Sequence, residues 1–130
     1  MTYRLSRLLS AATASYGVYA LAEPRHLGRA LTNDPTEQSD YDVLAQTYGA
    51  RDLALSAVGM FARSERAVAA AMLVRIVSDV SDGLILSARA KDDETRDMVL
   101  AVTLGWATLN TLAVAVDRRR AKRRTTVTEI

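Results

Sequence analysis

The stretch that decides the reading is Met98–Val116, MVLAVTLGWATLNTLAVAV, a run of 19 residues without a charged side chain. As a helix rising about 1.5 Å per residue, it is long enough to cross a hydrocarbon core of about 30 Å. Its polar or amphipathic breaks are Thr103, Trp106, Thr108, Asn110 and Thr111. The composition changes abruptly on both sides. Asp92, Asp93, Glu94, Arg96 and Asp97 precede the run, and Asp117 with six basic residues between Arg118 and Arg124 follows it.

Working outward, three further stretches read as helices of similar length: Leu5–Ala22, Leu44–Ala62 and Ala67–Ser87. The four together contain six of the 32 charged residues, namely Arg7, Arg51, Asp52, Arg75, Asp79 and Asp82. The other 26 lie in the connections and at the two ends of the chain. A charged content of 25% is therefore an average over two very different kinds of segment. A water-facing helix carries charge along its outer side at helical period, and none of these four does. Their Gly, Ala, Ser and Thr content suits close helix packing in lipid. The expected fold is all-α: a four-helix transmembrane bundle, up-down-up-down, forming one domain over 1–130. Its spans are about 5–22, 44–62, 67–87 and 98–116, with a basic cytoplasmic tail over 117–130. The competing architecture is a soluble helical bundle with Met98–Val116 at its centre. The first span has its own alternative, because Arg4 and Arg7 before a run ending Ala20-Leu21-Ala22 resemble a cleavable signal peptide. Cleavage would leave three spans and an odd topology.

Basic residues in short loops set orientation. The N-terminus, the Arg63–Arg66 turn and the tail together hold ten, whereas the opposite connections hold five, offset by nine acids. Both termini are accordingly expected on the cytoplasmic side of a multi-pass protein of the cell membrane. Arg118–Arg124 is either the positive stop after the last span or an anchor for anionic lipids, at about 1 kcal/mol per basic residue near the surface. A net charge of +2, with no base-stacking aromatic near the basic run, argues against a nucleic-acid partner. The absence of cysteine excludes disulfides and thiolate chemistry. No nucleophile–base, metal-ligand, Walker or dinucleotide-glycine pattern is present, so no catalytic, metal or cofactor-binding residue and no cofactor is assigned. His26, the one histidine, lies in the 23–43 connection without neighbouring ligands and reads as solvated. The same connection carries a helix start, with Asp34 as N-cap, Pro35 at N1 and Glu37 at N3. Ser64 is placed to cap the third span.

The chemistry concentrates in Arg51, Asp52, Arg75, Asp79 and Asp82. Each costs about 2.5–3.5 kcal/mol at the centre of a membrane helix, so these residues must face one another or a wet cavity. Arg75, Asp79 and Asp82 fall within about 60° of one another on one helix face. Counted from a turn centred between Ser64 and Glu65, Arg51 is level with Asp79 to about 1.5 Å and Asp52 with Arg75 to about 3 Å. This predicts the ion pairs Arg51–Asp79 and Asp52–Arg75 and leaves Asp82 without a cation. Thr103 and Asn110 share a face of the fourth span and, with Thr13, Tyr16 and Tyr19 of the first, are candidates to line the same pocket. Two roles compete for the cluster. As a buried ion-pair network it zips the helices together in a structural or accessory membrane protein, part of a homo-oligomer or membrane complex. As a polar site built on Asp82 and Arg51, it makes the chain a small-molecule or proton carrier or binding protein. A membrane enzyme with Asp82 as general acid or base is the third reading.

The run Tyr48-Gly49-Ala50-Arg51-Asp52-Leu53-Ala54-Leu55, followed by Arg75-x-x-x-Asp79-x-x-Asp82-Gly83, resembles an uncharacterised family of small four-helix integral membrane proteins. Members of that family, common in actinobacteria and also found in fungi, carry a G-x-R-D-L element in the second span and a D-x-x-D/A-D-G-like element in the third. The resemblance covers most of 5–116 and implies the same four-span fold and the same charged cluster. It implies no activity, and the 23–43 connection and basic tail fall outside it.

Overall fold

The computed structural model describes residues 2–128, and among the described residues the secondary structure is entirely helical. Its elements are α1 (Arg4–Ala22), α2 (Arg25–Leu31), α3 (Pro35–Asp40), α4 (Asp42–Phe61), α5 (Glu65–Ser87) and α6 (Asp93–Thr128). The four expected helical stretches lie on α1, α4, α5 and α6. One boundary differs substantially. The basic run is no loose tail, because α6 continues unbroken through Arg118–Arg124 to Thr128. At its other end Asp92 accepts from Thr95 N–H at 2.7 Å, so the helix starts before the apolar run.

Cross-helix contacts establish the directions. Arg7 of α1 donates to the carbonyls of Met60 at 2.6 Å and Ala62 at 2.8 Å, while Gly17 lies against Gly49, so α1 and α4 are antiparallel. A Cβ on Gly17 would sit 2.9 Å from the Gly49 carbonyl oxygen and 2.8 Å from Leu53 Cγ. Glycine at both positions lets the two backbones touch. Thr103 packs on Gly83 and Met72 on Ala113, which sets α5 antiparallel to α6. Arg51–Asp82 and Ser56–Arg75 contacts do the same for α4 and α5. Ser6 and Asp117 close the ring between α1 and α6. The segment with signal-peptide character is thus one wall of the bundle.

Among the described residues, α6 is the one helix long and apolar enough to cross a membrane. The other three do not reach that measure. Charges interrupt α4 and α5, and Ser, Thr and Tyr dilute α1. Polar side chains nevertheless share the interior with apolar ones, and many large apolar residues face outward. Leu8, Val18, Val77, Leu84 and Leu112 are each more than 55% exposed, while Ser6, Ser10, Ser56, Arg75 and Asn110 are each at most 2% exposed.

The 23–43 connection forms a cap over one end. Leu27 and Leu31 of α2 pack with Ala45, Tyr48, Leu86 and Val99 from the three helices beneath. Asp34 caps α3 by accepting from Thr36 N–H at 2.8 Å, with Pro35 in the first turn, as the residues predict. Glu37 does not complete a capping box. Its carboxylate accepts from Thr32 Oγ1 at 2.8 Å, and Thr32 Oγ1 in turn accepts from the Asp34 amide. Arg25 straps the cap to the start of α4 through Asp42, with Nη2–Oδ2 at 2.8 Å. These hydrogen bonds hold the Asp42 carboxyl below its ordinary value and raise that of Arg25. Ser64 caps α5 by accepting from Ala67 N–H at 3.4 Å.

Candidate functional site

Beneath the cap, the helices line a partly open cavity of about 270 Å³. Its polar side comes from α4 and α5: Tyr48, Arg51, Asp52, Asp79 and Asp82. Its apolar side is Met98, Val99, Val102 and Trp106 of α6, with Leu86 of α5 and Leu27 and Ala30 of α2. Thr13, Tyr16 and His26 complete the lining on the α1 side. The origin of the space lies in the α1–α6 seam. These helices meet through Ser6 and Asp117 at the far end, and towards the cap the cavity occupies the gap between them.

Arg51 organises the polar side. Its Nε and Nη2 donate to Asp52 Oδ1 at 3.1 and 3.0 Å, and its Nη1 and Nη2 donate to Asp82 at 3.0 and 2.7 Å. The guanidinium also lies over the Tyr48 ring, 4.8 Å from its centroid. A bidentate arginine–carboxylate pair of this kind fixes geometry as well as charge. Arg75 is 2% exposed and lies off the cavity wall. Its Nη2 donates to Ser56 Oγ at 2.9 Å and to the Asp52 carbonyl at 3.3 Å. Asp79 accepts from Asn110 Nδ2 at 3.3 Å.

The expected pairs Arg51–Asp79 and Asp52–Arg75 are therefore not formed. Asp82, expected to lack a cation, holds Arg51, and Asp79 is the carboxylate without one. The reason is the hairpin. Ala62 and Ser64 are extended rather than folded into a symmetric turn, so both cross-links lie farther from the turn on α5 than on α4. A long arginine side chain then spans the offset.

Of the other expected lining residues, Thr13, Tyr16 and Thr103 reach the cavity. Asn110 stands behind the wall and positions Asp79, with its amide oxygen buried and unbonded. Tyr19 packs on the His26 ring with centroids 4.9 Å apart. His26 is not free in solvent. Its Nδ1 lies 2.7 Å from the Glu23 carbonyl, to which it donates, and its Nε2 lies 3.0 Å from the Tyr16 hydroxyl. The missed lining residues are Tyr48, His26 and the apolar side. A weak signal existed for α2, whose Leu27, Ala30 and Leu31 recur at helical spacing.

Comparison with known protein families, with curated proteins and with solved structures returns no match. The resemblance noted for the Arg51-Asp52 and Asp79–Gly83 elements accordingly rests on those residues alone.

Proposed function

We propose that this chain is a four-span integral membrane protein whose bundle interior binds a small amphipathic molecule. The carrying observation is the cavity itself, with a charged side made by Arg51, Asp52, Asp79 and Asp82 facing an apolar side made by α6. Orienting polar groups opposite an apolar wall is the usual construction of a small-molecule site, and about 300 Å³ is the lower end of ordinary pocket volumes. The large apolar residues exposed on α1, α4, α5 and α6, with polar side chains buried between the helices, support the membrane setting for all four. Buried serines, Asn110 and Arg75 hold helices together where lipid gives no hydrophobic drive for association. With the basic end of α6 on the cytoplasmic side, the cavity lies in the opposite half of the membrane.

A second role has its own support. Arg75, tied to Ser56 and the Asp52 carbonyl, acts as a structural cross-link between α4 and α5. The charged residues thus divide into a tie made by Arg75 and a site made by Arg51, Asp79 and Asp82.

Full-length protein should remain in the membrane fraction and require detergent for release; recovery in the soluble fraction without detergent overturns the membrane setting. Trp106 is the chain's single tryptophan and lines the cavity, so its emission reports occupancy. Small amphipathic compounds should shift that emission, and Ala30→Phe, which fills the cavity, should abolish the response. A response that persists unchanged in Ala30→Phe places the compounds elsewhere.

A further inference from the structure

Charge and hydrogen bonding on the cavity wall narrow the class of molecule it takes. The wall carries three carboxylates and one cation, Arg51. Arg51 directs four of its N–H groups at Asp52 and Asp82, which leaves it poorly placed to receive an anionic head group. The second cation of the cluster, Arg75, does not line the cavity and donates to Ser56. Asp79 presents a carboxylate to the cavity, held by the Asn110 amide at 3.3 Å, and makes no ion pair among the described residues. Trp106 and Tyr16 line the same space, and aromatic faces attract organic cations.

A neighbouring groove has the same character. An outer groove of about 750 Å³ shares Tyr48, Arg51 and Asp82 with the cavity and carries Glu37 and Asp40, balanced there by Arg89. The Arg51–Asp82 pair therefore borders both spaces, and acids outnumber cations on each.

We infer that the cavity takes a small hydrophobic cation, an ammonium head with an alkyl or aryl body, its charge against Asp79 and its body along Val99, Val102 and Trp106. This assignment rests on the pocket reading above and specifies its ligand.

Three probes with one body and different heads test it: hexyltrimethylammonium, 1-hexanol and hexanesulfonate, titrated against the full chain in non-ionic detergent with Trp106 emission as readout. The cation should bind at least about tenfold more tightly than the alcohol, a difference of about 1.4 kcal/mol, and the sulfonate weakest. Equal affinities, or a preference for the sulfonate, overturn the cation assignment and leave the pocket standing. Emission unmoved by all three probes overturns the pocket reading itself. Asp79→Asn should remove the preference for the cation while hexanol binding persists; a retained preference overturns the role given to Asp79. The head-group series uses the unaltered chain, so its outcome is independent of how that variant folds.

Discussion

At the tail end of the bundle Asp117 is 3% exposed and accepts from both the amide and the hydroxyl of Ser6 at 2.8 Å. At the capped end Asp79 receives one amide hydrogen bond at 3.3 Å and has a cavity in front of it. Both are aspartates on long helices of the same bundle. At the tail end α1 is pressed against its neighbours: Ser10 on Gly59, Arg7 on the last carbonyls of α4, Ser6 on Asp117. There the amide and the hydroxyl of Ser6 both meet Asp117 Oδ2, and small residues bring the helices close around that joint. At the capped end α1 and α6 stand apart, and bulky apolar residues from α6 and α2 surround the space without filling it. Burial of a carboxylate is therefore not what distinguishes a site from a joint. The difference is how firmly its neighbours hold it, by two bonds of 2.8 Å for Asp117 and one of 3.3 Å for Asp79, and how much space opens in front of it.

The contrast between the two ends can be disrupted most severely at the tail end. Gly59→Val drives a branched side chain into Ser10 where even a Cβ does not fit, and no monodisperse folded protein should be recovered by size-exclusion chromatography. Asp117→Ala leaves the buried Ser6 donors unpaired at a cost of about 1–3 kcal/mol, lowering the Tm in detergent while hexyltrimethylammonium affinity is retained. A shifted affinity with an unchanged Tm would erase the distinction between the two ends. Asp82→Asn should act in the opposite sense. Arg51 keeps Asp52, so the Tm falls less than in Asp117→Ala, while cation affinity falls as the wall loses a negative charge. The smallest effect belongs to the strap between Arg25 and Asp42. Because the folded state depresses the Asp42 value, its contribution is intact above the ordinary 3.8 and is lost as pH falls through the folded value. Amide exchange in Arg25–Leu31, followed by mass spectrometry, should accelerate over that acidic window, and Asp42→Asn should show the faster exchange already at neutral pH.

The positions of the long helices were legible because charge is excluded from them, a property of the local residues alone. The membership of the charged cluster was legible for the same reason, since Arg51, Asp52, Arg75, Asp79 and Asp82 stand out against apolar surroundings. Their pairing was not. It depends on the extended Ala62–Ser64 connection and on how far an arginine reaches, and neither is written in the spacing. Helix α2 and the place of His26 were hidden because their partners, Tyr16 and the Leu86–Val99 layer, come from three other helices. The continuation of α6 was hidden by its composition. A dense basic run repels itself, yet no glycine or proline interrupts it, and the helix carries on.

That continuation has a mechanical consequence. Thirty-six residues make a rod of about 54 Å, well beyond a hydrocarbon core of about 30 Å. Arg118, Arg119, Arg120, Lys122, Arg123 and Arg124, at about 100° per residue, cover about 240° of this rod and leave to the bundle the side of Ala121, which packs against Tyr3, Val68 and Ala69. In the proposed membrane setting such a band seats at the phosphate level. It would act as a depth gauge: the same rigid helix that carries the band also carries Met98, Val102 and Trp106, so the height at which the band seats would set how far below the opposite surface the cavity lies.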